Sequence, residues 1–337
     1  MVNLGATIED VAKAAGVSKS TASRALGKYG YVSDETRKKV LEAARALNYR
    51  PHALAKSLVT GRTGTIGLLV ADIENPFFAR IARGVSDAIS PEDYDLIVCS
   101  TNENPLEECH AVRALSNKQV DGMVIAPAMS DDYSHIEELA EEGIPMVLVD
   151  RFIDSLRLDC VAVTNPEGSE DAIDHLAALG HYRIAFLGDS TSTTHERLDG
   201  YRQALMKHGF KLDDRLIRIT DYPVQSGYRE AISLLCQDSP PTAIFAASNF
   251  MTIGALEAAR DMNIGIPDRL SLVGFDDLEW YDFVAPPITA VRQPVYELGR
   301  IAAQSLLQRI KGDDSRPTVI RLPTRLIIRK SSGKASS

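Results

Sequence analysis

Residues 16–26 have the sequence Gly-Val-Ser-Lys-Ser-Thr-Ala-Ser-Arg-Ala-Leu, and the organisation of the chain follows from this stretch. Ser18 can cap a helix whose small apolar residues, among them Ala22 and Ala25, face inward. The outer face then offers hydroxyl groups and positive charges. Such a surface suits DNA, because hydroxyls hold phosphates and a long cation reaches guanine edges in the major groove. The stretch therefore predicts a recognition helix, with an ordinary helical hairpin as the alternative.

The flanking residues predict two further helices. Thr7 can cap a helix whose apolar residues recur at helical spacing and which ends at Gly16. Two short helices joined by a tight turn form a helix-turn-helix. A third helix opens at Ser33 and stops near Asn48. Residues 1–49 are therefore expected to be an all-α DNA-binding head.

The contacts with DNA can be assigned by side-chain chemistry. We expect Lys19, Ser20 and Arg24 to recognise bases, and Thr21 and Ser23 to hold phosphates. Charge supports this assignment, because residues 1–64 hold 11 Lys and Arg against 5 Asp and Glu (+6), while the rest holds 26 against 41 (−15). A basic head on an acidic body predicts salt-dependent DNA binding through the head alone.

The head and the segment that follows it resemble the lactose/purine repressor (LacI-type) family of bacterial transcription regulators. The resemblance covers about residues 6–329, and its matching residues are 7–26, Val32-Ser33, Thr36-Arg37, Leu47-Asn48-Tyr49-Arg50-Pro51 and 55–58. One departure is Ala22, where the family usually has valine.

The family resemblance implies a hinge between head and body. Residues 50–63 are expected to be a hinge helix and linker that fold only on operator DNA, since so short a helix is unstable alone. Leu58 is expected to wedge into the minor groove, where an apolar side chain kinks the duplex; a plain linker residue is the alternative. Thr7 and Ala55 complete the predicted DNA contacts.

The remaining chain alternates short apolar runs with amphipathic helices. The predicted strands are 66–71, 96–100, 122–126, 145–149 and 161–164, then 183–187, 216–219, 243–247 and 271–275, with a last stretch at 319–328. The predicted helices include 76–90, 105–117, 166–179, 197–208, 225–235 and 251–262. This alternation predicts an α/β body of two doubly wound parallel-sheet lobes.

The resemblance adds the identity and connections of the lobes. It implies that residues 64–329 form a two-lobed effector-binding and dimerisation domain resembling periplasmic sugar-binding proteins. The chain is expected to cross between the lobes near Thr164, Val291 and Leu322, so that 293–311 joins the first lobe. Residues 330–337 are expected to be a polar tail.

Ligands of open parallel sheets bind at the carboxyl ends of the strands, which directs attention to the residues after each run. Phe77 and Phe78 follow the first strand, and we expect one to stack on a sugar face and the other to fill the core. The family resemblance implies that Arg197 and Asp276 contact the effector, with a surface arginine and a capping aspartate as the alternatives. Further candidates are Asp150, Thr191, Thr193, His195, Tyr222, Ser248, Asn249, Trp280 and Gln293. Trp280 is either a stacking wall or core.

Two departures from the family bear on the charge of the ligand. Ser248-Asn249 and Thr164-Asn165 stand where the family commonly has a carboxylate in each pair. Fewer anions beside Arg197 favour a sugar acid or sugar phosphate over a neutral sugar.

Other classes of protein have less support. The four cysteines and seven histidines show no metal or redox spacing, so neither metal nor cofactor is expected. The chain has neither a signal peptide nor a membrane-spanning run, which predicts a cytoplasmic protein. An enzyme acting on a sugar is the weakest reading, since phosphate-loop, nucleophile-elbow and dinucleotide motifs are absent.

The favoured reading is a homodimeric transcription regulator, usually a repressor, whose small sugar-type effector alters its affinity for a pseudo-palindromic operator. The alternative within the family is a regulator controlled mainly by a protein co-regulator such as a phosphocarrier protein.

Overall fold

A computed structural model describes residues 6–27, 30–49, 62–221 and 224–335. The chain divides into two compact units, one of residues 1–65 with 119–121 and one of all the others. Three predicted site residues, Ala55, Leu58 and Tyr222, lie outside the described residues.

The head consists of the three predicted helices. They are α1 (Ile8–Ala15), α2 (Lys19–Gly27) and α3 (Asp34–Ala46). Val11, Ala22 and Val40 are fully buried and form the centre of its small core. Gly16 ends α1 in the left-handed conformation, with a φ of 66°, which allows the sharp turn into α2.

Two six-stranded sheets form the body, and strand order and helix placement are the same in both. The first lobe contains β1 (Thr65–Val70), α4 (Pro76–Ile89), β2 (Asp95–Ser100), α5 (Pro105–Asn117), β3 (Gly122–Ile125), α6 (Ser134–Glu141), β4 (Met146–Val149) and β5 (Asp159–Val163). The second contains α7 (Asn165–Ala178), β6 (Ile184–Asp189), α8 (Ser192–Lys207), β7 (Ile217–Thr220), α9 (Val224–Leu235), β8 (Ala243–Ala246), α10 (Asn249–Asp261), β9 (Ser271–Phe275) and β10 (Thr289–Arg292).

Three connections pass between the lobes near the predicted positions. The chain enters the second lobe after β5, returns after β10 with α11 (Val295–Ile310) and β11 (Val319–Leu322), and crosses again to β12 (Arg325–Ile327). The sheet orders are β11-β5-β4-β3-β1-β2 and β12-β10-β9-β8-β6-β7. Apart from the antiparallel pair β10–β12, the paired strands with a described register are parallel. The fold class predicted from the sequence is therefore confirmed.

Several details differ from the sequence prediction. The apolar stretch 319–328 is two strands, because Pro323 and Thr324 interrupt it and each half joins a different sheet. The helix predicted at 197–208 begins at Ser192, because Thr191 caps it through a bond from the Thr194 amide at 3.4 Å. The short strand β10 and the helix α6 were missing from the predicted elements.

Glycines allow α4 and α11 to pack backbone to backbone in the first lobe. A Cβ atom on Gly84 would lie 2.2 Å from the Tyr296 carbonyl oxygen, and one on Gly299 would lie 2.1 Å from the Ile81 carbonyl oxygen. The close packing fixes α11 in the first lobe although its sequence follows the second.

Residues 330–335 are part of the second lobe. Ser331 is fully buried, and its hydroxyl donates to the Leu272 carbonyl at 2.6 Å and accepts from the Thr289 amide at 2.8 Å. The buried His181 lies 3.0 Å from the Gly333 carbonyl oxygen through Nε2. The segment predicted as a polar tail thus satisfies polar groups at the margin of the second sheet. Among the described residues, no helix is long and apolar enough to span a membrane.

Candidate nucleic-acid interface and ligand cavity

The predicted recognition helix α2 exposes two of the three side chains assigned to bases, and the third, Arg24, donates from Nε to the Ser20 carbonyl at 3.3 Å. Lys19 and Ser20 are exposed, while Thr21, Ser23 and Arg24 are half-buried. Buried alanines on the opposite side of α2 hold it against α1 and α3. The helix therefore presents its hydroxyls and cations on one outer surface.

Local hydrogen bonds order the start of α2. The Ser18 hydroxyl accepts from the Thr21 amide at 3.1 Å, which confirms the predicted cap, and lies 2.9 Å from the Ser20 hydroxyl. Lys19 forms an exposed ion pair with Glu9 of α1 at 2.7 Å. Its ammonium group is therefore shared with a carboxylate of the head itself.

Thr7 has a structural role within the head. It forms a capping box with Asp10, in which its hydroxyl accepts from the Asp10 amide and the Asp10 carboxylate accepts from the Thr7 amide. These bonds lower the pKa of Asp10. Contact between Thr7 and DNA stays a prediction.

A small cavity of about 30 Å³ lies at the carboxyl ends of the strands of both lobes. It is lined by Asn75, Phe77, Phe78, Asp150, Arg151, Asp189, Thr191, Thr193, Arg197, Ser248, Asn249, Asp276 and Gln293. Ten of these residues are among the effector-binding residues predicted from the sequence. The structure thus brings together side chains that are as far as 218 positions apart (75 to 293) in the chain.

Three lining residues were missed by the sequence analysis: Asn75, Arg151 and Asp189. Asp189 is the last residue of β6, and Arg151 follows β4 by two positions. The strand-end rule that selected Asp150 could have selected both. Asn75 caps α4 by accepting from the Phe77 amide at 3.0 Å, and it also accepts from Asn249 Nδ2 at 2.8 Å, which joins the two lobes.

Two predicted residues lie outside the cavity wall. His195 is exposed, and its Nδ1 lies 3.0 Å from the Thr191 carbonyl oxygen on the same helix. Trp280 packs edge-on against Tyr281 with ring centroids 4.5 Å apart, in a small cluster with Ile288 and Ala290. This placement matches the alternative that Trp280 is a core residue and not a stacking wall. We expected one of Phe77 and Phe78 to stack on a sugar and the other to fill the core. In the structure both are buried in the core and both line the cavity.

Arg197 is fixed by neutral groups. Its Nε donates to Asn165 Oδ1 at 2.8 Å, its Nη1 donates to the Ala247 carbonyl at 2.7 Å, and its guanidinium carbon lies 3.7 Å from the centroid of the Phe275 ring. None of the ion pairs among the described residues involves Arg197. Its positive charge therefore remains available to the cavity.

Arg151 differs from Arg197 because a carboxylate neutralises it. Both of its terminal nitrogens donate to Glu103, and Nη1 also donates to the Pro127 carbonyl at 2.8 Å. On the cavity side, its Nε lies 3.6 Å from Asp150 Oδ2.

The cavity carboxylates have unequal surroundings. Burial raises the pKa of Asp150 to about 6 in spite of the neighbouring Arg151, and burial also raises the pKa of Asp276. Asp150 Oδ1 and Gln293 Oε1 are buried without a hydrogen-bond partner among the described residues. Asp189 instead accepts from the hydroxyls of Thr191 and Thr194 at 2.6 and 2.7 Å, which orders the hydroxyl-rich loop.

Comparison with known proteins links both sites to transcription regulators. Residues 7–52 match the family described as bacterial regulatory proteins, lacI family, and residues 173–332 match a periplasmic binding protein-like domain. The HTH-type transcriptional regulator DegA of Bacillus subtilis is 36% identical over 330 residues, which cover 97% of this chain and 98% of DegA.

Solved structures extend the likeness to the arrangement of the chain. The lac repressor dimer bound to operator and the anti-inducer ONPF has a TM-score of 0.86 at 26% identity, covering 98% of this chain and 99% of that one. The complex of the transcriptional regulator CelR with cellobiose has a TM-score of 0.74 at 31% identity, covering 97% and 99%.

Proposed function

Because the chain belongs to the lacI family of bacterial regulatory proteins, we propose that it is a cytoplasmic, homodimeric repressor that binds a pseudo-palindromic operator under the control of an uncharged sugar. The observation that carries the proposal is the cavity of hydrogen-bonding side chains between two lobes, in a chain that also holds a helix-turn-helix head. The effector changes DNA affinity by its preference for one of two lobe arrangements.

The head supports the DNA-binding part of the proposal. Lys19, Ser20 and Arg24 lie on the outer side of α2 and supply donors suited to base edges. Thr21 and Ser23 lie beside them and suit phosphate oxygens. Two-fold symmetry of a dimer then requires two similar half-sites in the operator.

Hydrogen bonding supports a polyhydroxylated ligand. The buried acceptors Asp150 Oδ1 and Gln293 Oε1 need donors, because a buried polar atom without a partner costs about 1–3 kcal/mol. Sugar hydroxyls donate to carboxylates and accept from guanidinium groups. Arg197 supplies such a donor, and the rings of Phe77 and Phe78 supply an apolar wall.

The charges in the cavity favour an uncharged ligand, which is the reverse of the sequence-based expectation. That expectation rested on carboxylates absent from 164–165 and 248–249. The wall, however, contains Asp150, Asp189 and Asp276 against two guanidinium groups, and Glu103 neutralises that of Arg151. A sugar acid or phosphate adds a like charge to this wall, whereas a neutral sugar does not. The cellobiose in the CelR complex is also uncharged.

A thermal-shift screen of the full-length chain tests the proposal. The panel consists of neutral sugars, each with its sugar acid or sugar phosphate. A ligand at about 100 times its Kd adds roughly 2.7 kcal/mol of stability. We expect a neutral sugar to stabilise the wild type and the His195→Ala control, but not Arg197→Ala or Asp276→Asn.

Two outcomes contradict parts of the proposal. If the sugar acid or sugar phosphate of a pair binds better than the neutral sugar, the ligand is charged, as expected from the sequence. A silent panel contradicts a sugar effector, and the co-regulator alternative is then tested by pull-down with a phosphocarrier protein.

A further inference from the structure

Glu103 occupies an unusual position behind the cavity wall. It follows β2 in the turn 101–104, where Asn102 and Glu103 have φ values of 53° and 55°. A glutamate in the left-handed region is uncommon and strains the backbone. The turn is held by bonds from the Glu103 amide to the Ala71 carbonyl at 3.2 Å and from the Asn104 amide to the Thr101 carbonyl at 2.8 Å.

The carboxylate of Glu103 is hydrogen-bonded to the cavity residue Arg151, and its charge also acts on Asp150. Both of its carboxylate oxygens accept hydrogen bonds from the Arg151 guanidinium. The side chains of Arg151 and Glu103 are only 5% and 13% exposed, so water screens the pair weakly. Arg151 lines the cavity, whereas Glu103 does not.

We propose that Glu103 is a specificity-determining residue, which directs the cavity toward uncharged sugars by neutralising Arg151. The inference rests on the proposed function of the cavity as an effector site. Glu103 acts through another residue and is therefore a positioning residue for the ligand.

The charges that surround Arg151 support this role. Asp150 faces its Nε at 3.6 Å from the cavity side, and Glu103 faces its terminal nitrogens from behind. With Glu103 in place, Asp150 keeps one oxygen without a hydrogen-bond partner among the described residues, and that oxygen can accept from a ligand hydroxyl. Without Glu103, the Arg151 guanidinium can pair either with a ligand anion or with Asp150. Either response makes the cavity more favourable to an anion.

The remaining charged groups of the wall bond to partners other than Arg151, although the charge of Asp189 also acts on Arg151. Arg197 lies among neutral partners, and the hydroxyls of Thr191 and Thr194 bind Asp189. Asp276 accepts from Asn249 and Gln293 rather than from a cation. Glu103 is therefore a carboxylate whose removal changes the charge around Arg151 without removing a lining side chain.

Calorimetry on the full-length chain tests the role of Glu103. The probes are glucose with gluconate, galactose with galactonate, and ribose with ribonate. Glu103→Gln preserves the size of the side chain and removes its charge. Glu107→Gln is the matched control, because Glu107 accepts from Asn102 at 2.8 Å on the same turn and has no bond to Arg151. Glu103→Gln combined with Arg151→Gln removes both charges.

We expect Glu103→Gln to raise the affinity for the acid relative to its neutral partner at least tenfold. The Glu107→Gln control should remain within about twofold of the wild-type ratio, and the double variant, which also removes the charge of Arg151, should lose the shift toward the acid. Equal weakening of both members of a pair in Glu103→Gln indicates a structural role only and overturns the inference.

A second measurement separates this inference from the proposed function. Inorganic sulfate, compared with chloride at equal ionic strength, is an anion that needs no sugar site. Greater stabilisation of Glu103→Gln by sulfate than of the wild type and the double variant supports the inference, even if every sugar fails to bind. The same response in all three proteins, with no change in sugar preference, overturns it.

Discussion

Asp150 and Asp276 occupy equivalent positions in the two lobes. Asp150 directly follows β4 and Asp276 directly follows β9, with φ values of 70° and 75°. Each amide donates to the neighbouring strand, to the Val161 carbonyl at 2.9 Å and to the Val291 carbonyl at 3.0 Å. The repeated architecture therefore presents one buried, left-handed aspartate to the cavity from each side.

The free energy of unfolding should rise when Asp150 is replaced by Asn. Burial raises the pKa of Asp150 to about 6 from an ordinary value of 3.8, so its charged form opposes folding. Because the folded state binds this proton more tightly than the unfolded state does, the free energy of unfolding falls as the pH rises from about 4 through 6. Asn mimics the neutral form and tolerates the left-handed region. The expected gain reaches up to about 3 kcal/mol at pH 7 and vanishes toward pH 4.

Urea unfolding at pH 4, 6 and 7.5 measures this effect. Asp93→Asn is the matched control, because Asp93 also has a positive φ, of 60°, but is exposed. A gain for Asp150→Asn that does not depend on pH contradicts the assignment. The same variant should bind sugar more weakly, because the amide accepts from hydroxyls less strongly than a carboxylate.

The helix pair α4–α11 should not tolerate a methyl group at its contact. Gly84→Ala or Gly299→Ala places a Cβ within 2.2 Å of a backbone oxygen, and neither helix can move without disturbing the lobe. We expect a loss of about 3 kcal/mol in the free energy of unfolding. The control is Gly265→Ala, whose nearest neighbour lies 3.7 Å away and which should change stability by less than about 1 kcal/mol. Thermal or urea unfolding distinguishes the two.

Residues 330–335 should contribute measurably to folding. Ser331→Ala leaves the buried Thr289 amide and Leu272 carbonyl without their hydroxyl partner, which should cost about 1–3 kcal/mol. Lys334→Ala changes an exposed side chain of the same segment and should be close to neutral. Equal stabilities of the two variants in urea would show that the segment does not hold the second lobe together.

The ion pair between Lys19 and Glu9 should weaken DNA binding slightly. Glu9→Gln releases the ammonium group and removes a carboxylate that repels phosphates. Since exposed pairs are worth about 0.2–1 kcal/mol, we expect two- to fivefold tighter binding at low salt. Glu35→Gln, which removes the partner of Lys39 instead, is the control. Fluorescence anisotropy at several salt concentrations measures the difference, which should shrink as salt rises.

Much of the fold could be predicted from the sequence because local signals agree with it. Caps at Thr7 and Ser33 and periodic apolar residues define the head. Continuous apolar runs define most strands, and the strand-end rule then locates most of the cavity. The crossover expected near Leu322 is present, but the strand prediction left 319–328 as one stretch although Pro323 interrupts it.

The charge of the cavity could not be predicted because it depends on long-range pairing. Glu103 and Arg151 are 48 positions apart, and only the folded sheet brings them together. The sequence-based expectation compared only the carboxylates at 164–165 and 248–249 with the family pattern. It therefore did not include the carboxylate of Asp189 or the neutralisation of Arg151. Trp280 was a candidate because of its residue type and its distance from Asp276, but its ring packs away from the cavity wall.

Selection of DNA from a random-sequence library by the full-length protein, followed by titration of the selected DNA with neutral sugars, tests whether the protein is a sugar-controlled repressor. We expect the selected DNA to be a pseudo-palindrome and Arg24→Ala to lose the preference for it. We also expect one neutral sugar to change the DNA affinity of the wild type but not that of Arg197→Ala. Selection of no common sequence, or a DNA affinity that no sugar alters, is incompatible with such a repressor.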